Sequence, residues 1–391
     1  MTQDVQSQSH TSLTKPTLLA SLPPSALPKP HGGPESPRLI IIGDVHGQLS
    51  ALDALLAKVG YSRARGDVVI FTGDMVNKGP DSGGVVDRAV EMGAYSVRGN
   101  HEDRVLRAWD EMQAKGSMDT DTDSEVETET DVEEEREGDA ETEGKKKKKH
   151  KYKHHKSKKE ARKTARSLTS AQRSWLAARP VILRVGAVSR YYGDVVVVHG
   201  GLVPGIPLEK QDPQVVMNIR TLITPPPSSS SSTSFSPESL VSDNDSLDSS
   251  ADSFSHSHLK PSEGREGHPW SKVWNALEKE KQKKNKDNNN KKGGRHGTPE
   301  PPMTVVYGHD AKTGLSVRRY AFGIDSNCAR GGELTALVFE PTSAASAAIS
   351  NSPGTSTNHD DDERVDEEDP ELAAARHGIR HRLVSVSCRA R

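Results

Sequence analysis

Aromatic residues make up only 4% of the 391-residue chain and apolar residues 32%, too little for a core spread evenly along that length. The core must be concentrated in part of the chain, with the rest unable to bury enough surface to fold. Cysteine is nearly missing: Cys328 and Cys388 predict no disulfide framework and give an oxidising compartment no support. Long hydrophobic runs are lacking too. The aliphatic stretches Leu39 to Ile42 and Val195 to Val198 fall far short of the roughly 20 residues a membrane helix needs. The patch Thr17 to Leu27 is broken by Pro23 and Pro24 and has no signal-peptide centre. No membrane association is expected; the cytoplasm is the expected location, with the nucleus second and the vacuole left open. Net charge of one sign is also absent: 53 Lys plus Arg against 55 Asp plus Glu leave −2, which argues against a simple basic nucleic-acid binder or an acidic tail protein.

That balance hides two opposed blocks. Fourteen acidic residues lie between Asp119 and Glu143, and thirteen Lys or Arg between Lys145 and Arg166. Each block repels itself, and their adjacency favours mutual neutralisation. The basic run Lys145 to Lys159 is also a candidate contact for RNA or polyphosphate, or a nuclear address, although Tyr152 is its sole aromatic residue. Composition predicts a disordered arm over 1–37, a disordered acidic/basic insert over 116–166, a second insert rich in Ser, Pro, Lys and Asn over 224–301, and a disordered tail over 342–391. Trp270 and Trp274 mark a short helical candidate inside the second insert, able to dock on the core. The remaining blocks, 38–115, 167–223 and 302–341, total about 180 residues, ample for one domain over 38–341.

Inside those blocks, short apolar runs end at a glycine or a polar turn: "RLIIIG", "DVVIFTG", "AYSVRG", "DVVVVHG" and "MTVVYGH". Each reads as a buried strand. Between them "LSALDALLAKVG" has helical spacing and a Gly60 stop, and "SGGVVDRAVEMG" a helix with Ser82 as N-cap. The alternation implies a layered α/β sheet with its cleft at the strand ends. There the sequence places Asp44 and His46, then Asp74, Asn100 and His101, His199, and His309. Any one such turn is ordinary turn chemistry; a metal-ligand type after all five strands points to a metal centre. Asp74, the strong ligand on its loop, is the natural bridge between two ions. Mixed imidazole and carboxylate donors suit Zn, Fe or Mn better than Ca or Mg.

At these residues the sequence resembles the calcineurin-like metallophosphoesterase superfamily, through "GDVHG", "GDMVNKG", "GNHE", the His199 glycine pair and "GH" at His309. The resemblance implies a four-layer α/β/β/α sandwich and two divalent ions of the Mn, Zn, Fe or Co class. Asp44 and His46 are then ligands of the first ion, Asp74 the bridge, and Asn100, His199 and His309 ligands of the second. His101 matches the catalytic histidine that protonates the leaving oxygen after attack by a metal-bridging hydroxide. Lys78 and Arg220 are candidates to clamp phosphate oxygens.

Within that superfamily, protein phosphatases carry an Asp and an Arg where this chain has Asn77 and Lys78. "GDMVNKGP" and "GIDSNCARGGELTAL" resemble instead the diadenosine tetraphosphatase-like branch, with its fungal endopolyphosphatase-like relatives. The resemblance implies hydrolysis of phosphoanhydride bonds in polyphosphate, dinucleoside polyphosphates or nucleotide caps, with a phosphoprotein phosphatase as the alternative. Without the Asp, His101 needs another orienting group: Asp81, Glu102, Asp103 or the carbonyl oxygen of Asn77.

Overall fold

In the computed structural model the described residues are 13, 15–33, 35–116, 157–224, 259–291, 300–342 and 377–389. The acidic run, the basic run up to 156 and the Ser/Pro-rich stretch 225–258 lie outside them.

The chain runs from β1 (Leu19–Ser21) to β2 (Leu39–Ile42), then alternates through α1 (Leu49–Val59), β3 (Val68–Phe71), α2 (Ser82–Met92), β4 (Tyr95–Ser96) and α3 (Asn100–Ala114). A helix over 157–167, α4, leads to α5 (Ser170–Ala177), β5 (Ile182–Ser189), β6 (Gly193–Val198), α6 (Pro213–Asn218) and β7 (Thr221–Ile223). Next come β8 (Lys260–Ser262), β9 (His268–Pro269), α7 (Trp270–Lys291), β10 (Met303–Tyr307), β11 (Ser316–Val317), β12 (Ala321–Gly323), β13 (Glu333–Pro341) and β14 (Ile379–Ser387). One sheet has the order β14-β13-β2-β3-β4 and the other β1-β5-β6-β10-β12-β11; β7, β8 and β9 form a small third sheet.

Strand alternation builds the layers. Ile40 and Ile42 point into a core shared with α1, α2, α3, α4 and α5, while Leu39 and Ile41 point the other way into a core between the two large sheets. From the second sheet Val195 and Val197 meet them there, and Val196 and Val198 face a third core under α6 and α7, with Trp270 and Trp274. Three cores separate four layers, the α/β/β/α sandwich that the resemblance implies. Because β2, β3 and β4 are parallel, as are β6 and β10, each group delivers its carboxyl-end loops to one edge.

The five apolar runs are β2, β3, β4, β6 and β10, and Gly60, at φ 66°, ends α1 as expected. Other expectations need correction. Asp81, not Ser82, caps α2, accepting from Gly84 N, while Ser82 Oγ accepts from Asn77 N. The arm 1–37 contributes β1, which pairs with β5. The 116–166 insert ends in α4, and the 224–301 insert contains β8 and β9 besides α7. In the 342–391 tail, β14 pairs along the whole of β13. Cys328 and Cys388 form a disulfide, contrary to the sequence reading. Among the described residues no helix is long and apolar enough to cross a membrane.

Candidate metal centre

The backbone marks the site before its chemistry does. Seven described residues other than glycine have left-handed φ, and five of them are His46, Asp74, Asn77, Lys78 and His309. Such residues cost about 1–3 kcal/mol each and persist where the surroundings over-determine them. Gly308 shows how close the packing is: a Cβ there would lie 2.0 Å from Asp44 Oδ1.

Asp74 sits at the middle. Its Oδ2 lies 3.5 Å from His46 Nε2 and 3.9 Å from His101 Nε2, while Oδ1 lies 3.3 Å from His199 Nε2. Two groups of donor atoms, each within 4.8 Å, share it: His46, Asp74 and His101, and Asp44, Asp74 and His199. His309 Nδ1 is 3.2 Å from His199 Nε2, and its backbone N–H donates to Asp44 Oδ2 at 3.0 Å. Asn100 opens α3; its amide nitrogen donates to Asn218 Oδ1, and the carbonyl of Asn218 faces His309 Nε2 at 3.2 Å. All six expected ligand residues are thus brought to one place, although Asp44 and His46 fall in different donor groups.

Backbone carbonyls aim the imidazoles. His46 Nδ1 faces Val76 O at 3.1 Å and His199 Nδ1 faces Thr72 O at 2.9 Å, leaving Nε2 of each ring to the centre. Glu102 organises the Asp74 loop, accepting from the N–H groups of Asp74, Met75, Val76 and Gly99. It does not orient His101, nor do Asp81, which caps α2, or Asp103, which pairs with Arg98 and Arg107. Asn77 does, through its amide nitrogen rather than its carbonyl oxygen: Nδ2 lies 3.0 Å from His101 Nδ1.

The electrostatics describe a place that holds positive charge. Asp44, Asp74, Glu102 and Asp325 are all nearly inaccessible to solvent. Burial and the neighbouring Asp325 push the Asp44 carboxyl well up. Burial opposes ionisation of Asp74 as well, but His199, His101 and His46 outweigh it and hold the carboxyl well down. Burial alone would depress His199; Asp74, with Asp44 and Glu102, raises it instead to about 10. His46 is lowered by burial to about 4, so its ring is neutral and able to ligate. Lys78 Nζ lies 2.9 Å from His46 Nε2, a cation set against a ligand lone pair. Asn100 Oδ1 is buried and has no hydrogen-bond partner among the described residues. Buried carboxylates, aimed imidazole nitrogens and this unpartnered oxygen fit divalent cations.

Of the two candidate clamps, Lys78 is exposed at the rim. Arg220 donates to Glu263 O, and its charge helps depress His309 after burial and His199. Sequence reasoning gave no role to Asp325, Asn218 or Thr164. Asp325 follows β12 by the same strand-end rule as the others, but the apolar run before it is short.

A calcineurin-like phosphoesterase family model matches residues 37–310. The symmetrical bis(5'-nucleosyl)-tetraphosphatase of Acidovorax sp. (strain JS42) is 42% identical over 73 residues, 18% of this chain and 25% of that protein. Serine/threonine-protein phosphatase 1 of Salmonella typhimurium (strain LT2) is 35% identical over 68 residues, 17% of this chain and 31% of that protein. These matches therefore span a quarter to a third of those relatives' lengths. A crystal structure of a candidate diadenosine tetraphosphatase shares the fold, with a TM-score of 0.50 and 24% identity over 82% of this chain and 93% of the other. The family match runs from just before β2 through His309, across every loop that meets at Asp74, and the chain belongs to the calcineurin-like phosphoesterases, a family of metal-dependent hydrolases.

Proposed function

We propose that this chain hydrolyses phosphoanhydride bonds, in dinucleoside polyphosphates, nucleotide caps or inorganic polyphosphate. The centre is one of two divalent ions held by Asp44, His46, Asp74, Asn100, His199 and His309. The observation that carries the reading is Asp74, whose two oxygens face different imidazoles, His46 on one side and His199 on the other. Ions bound there supply Lewis acidity, neutralising phosphate charge and acidifying water.

The chain's own groups do the rest. Lys78 offers a point charge and Arg220 a planar fork to the non-bridging oxygens of the reacting phosphate. His101, its ring held by Asn77, donates a hydrogen bond from Nε2 to the leaving oxygen. The tetraphosphatase relative supports the anhydride class, and the Salmonella protein phosphatase supports the second reading, a phosphoprotein phosphatase.

The test is a substrate panel on the purified full chain with Mn, Zn, Co or Mg added: long-chain polyphosphate, diadenosine tetraphosphate, capped RNA and a phosphopeptide mixture. Metal-dependent cleavage of one of the first three, at a higher kcat/KM than any phosphopeptide, is expected. Dominant phosphopeptide turnover would replace the anhydride reading with the second one.

A further inference from the structure

We propose that Thr164 is a positioning residue for His101, acting through Asn77: its hydroxyl fixes which end of the Asn77 amide meets the ring, and hence which ring nitrogen carries the proton. The proposal rests on the reading of His101 as the donor to the leaving oxygen.

The argument begins with distances. Thr164 Oγ1 lies 2.7 Å from Asn77 Oδ1, and Asn77 Nδ2 lies 3.0 Å from His101 Nδ1. The hydroxyl donates to the amide oxygen, and the amide nitrogen faces the ring. Asn77 is buried, so neither end of its amide can turn to water instead. With its oxygen held by Thr164, the amide presents only N–H donors to His101. A ring nitrogen facing a donor must be the acceptor. The neutral imidazole has one N–H, and it therefore sits on Nε2, the nitrogen that faces Asp74.

That assignment separates two roles that distance alone leaves mixed. His101 groups with His46 and Asp74 as a metal-binding trio, yet a nitrogen that carries a proton has no lone pair for a metal. Nε2–H is a hydrogen-bond donor aimed at the reacting centre, so His101 serves the leaving oxygen and not an ion. A carboxylate at position 77 would do the reverse, accepting from Nδ1–H and leaving Nε2 bare in the neutral ring. Threonine and asparagine together thus do not copy an aspartate: a ring that accepts at Nδ1 stays neutral, and it stabilises the leaving oxygen by a hydrogen bond from Nε2–H without giving up that proton.

The hydroxyl is delivered firmly. Ala161 and Ala165, on the same side of α4 as Thr164, are buried in the core shared with α2 and α3. Arg104 donates to Ser157 Oγ, Lys158 pairs with Glu111, and Arg173 donates to Ala165 O. The far side of the relay is held as well, since Asn77 N donates to Ser82 Oγ at 2.9 Å.

The test compares Thr164→Val, which keeps the shape and removes the hydroxyl, with Thr164→Ser, which keeps the hydroxyl. Full-length protein loaded with diamagnetic Zn or Mg is labelled with 15N-histidine, and His101 is assigned by its loss in His101→Asn. In the wild type and Thr164→Ser, His101 should carry its proton on Nε2; in Thr164→Val the tautomers should mix. On the best substrate, Thr164→Val should lose about tenfold or more in kcat with KM within about twofold, and Thr164→Ser should recover most of it. A wild-type ring protonated on Nδ1, a Thr164→Val spectrum like the wild type's, or equal losses in Val and Ser would overturn the proposal. The tautomer is read without turnover, so a failure of the phosphoanhydride reading would show in the substrate panel and leave this outcome independent.

Discussion

At the residue scale, Asp74 and His199 set each other's charge. Burial would strip the proton from His199, but the carboxylate beside it raises the ring from the usual 6.5 to about 10. A folded-state value above the unfolded one stabilises the metal-free protein fully below about pH 6.5, and that contribution is lost as pH rises through about 10. A bound cation takes the place of this proton. The melting temperature of chelator-treated protein should therefore fall between pH 7 and 10 more steeply than that of metal-loaded protein, as followed by scanning fluorimetry; parallel falls would contradict the assignment. Ligand-type residues such as Asp44 and His309 were legible in the sequence because each follows an apolar run and a glycine. Thr164 was not: it lies among lysines and arginines, and its partner is 87 positions away. The direction of the Asn77 amide was equally hidden, because it depends on that partner.

At the scale of elements, strands β2 and β3 are clamped at their starts by one carboxylate. Asp67, just before β3, accepts from the backbone N–H and guanidinium of Arg38, just before β2, and from Arg65 and the Ser62 N–H. Burial opposes its ionisation, yet the Arg65 and Arg38 hydrogen bonds outweigh it and bring the carboxyl down to about 2. Its stabilisation is present above the usual 3.8 and is lost as pH falls toward 2. Asp67→Asn should cost about 3 kcal/mol, since it leaves buried Arg38 without its charge partner; urea unfolding at pH 7 measures this, and a cost near zero would show that the clamp contributes nothing. The central strands were readable because they are buried on both faces. By contrast α4 shows the core Ala161, Thr164 and Ala165, a helical stripe of small residues that charge on its other faces conceals. In β14, Ile379 and Leu383 face one core and Val384 and Val386 the other, a pattern with no single alternation to read in the sequence.

At the scale of the whole molecule, the carboxyl-terminal strand is part of the domain. β14 extends the first sheet beyond β13, and Cys388, just after it, is bonded to Cys328 in the turn that follows Asp325. The bond removes the ground on which an oxidising compartment was set aside. Closing a loop across a separation of 60 residues commonly stabilises by about 2–4 kcal/mol. Reducing agent, or Cys388→Ser, should lower the melting temperature by several degrees, and the protein should carry no free thiol under non-reducing conditions. Two titratable thiols in the native protein would refute the pairing. The sequence could not reveal it, because two cysteines in a long chain carry no spacing signal.

All three scales converge on Asp74, where loops from both sheets meet. The most direct test is the turnover of Asp74→Asn at saturating Mn on the best substrate of the panel. The account predicts a loss of at least about a thousandfold in kcat in a protein that is still folded by circular dichroism, because several kcal/mol of charge stabilisation depend on the shared carboxylate. Turnover at the wild-type rate would contradict the two-ion centre.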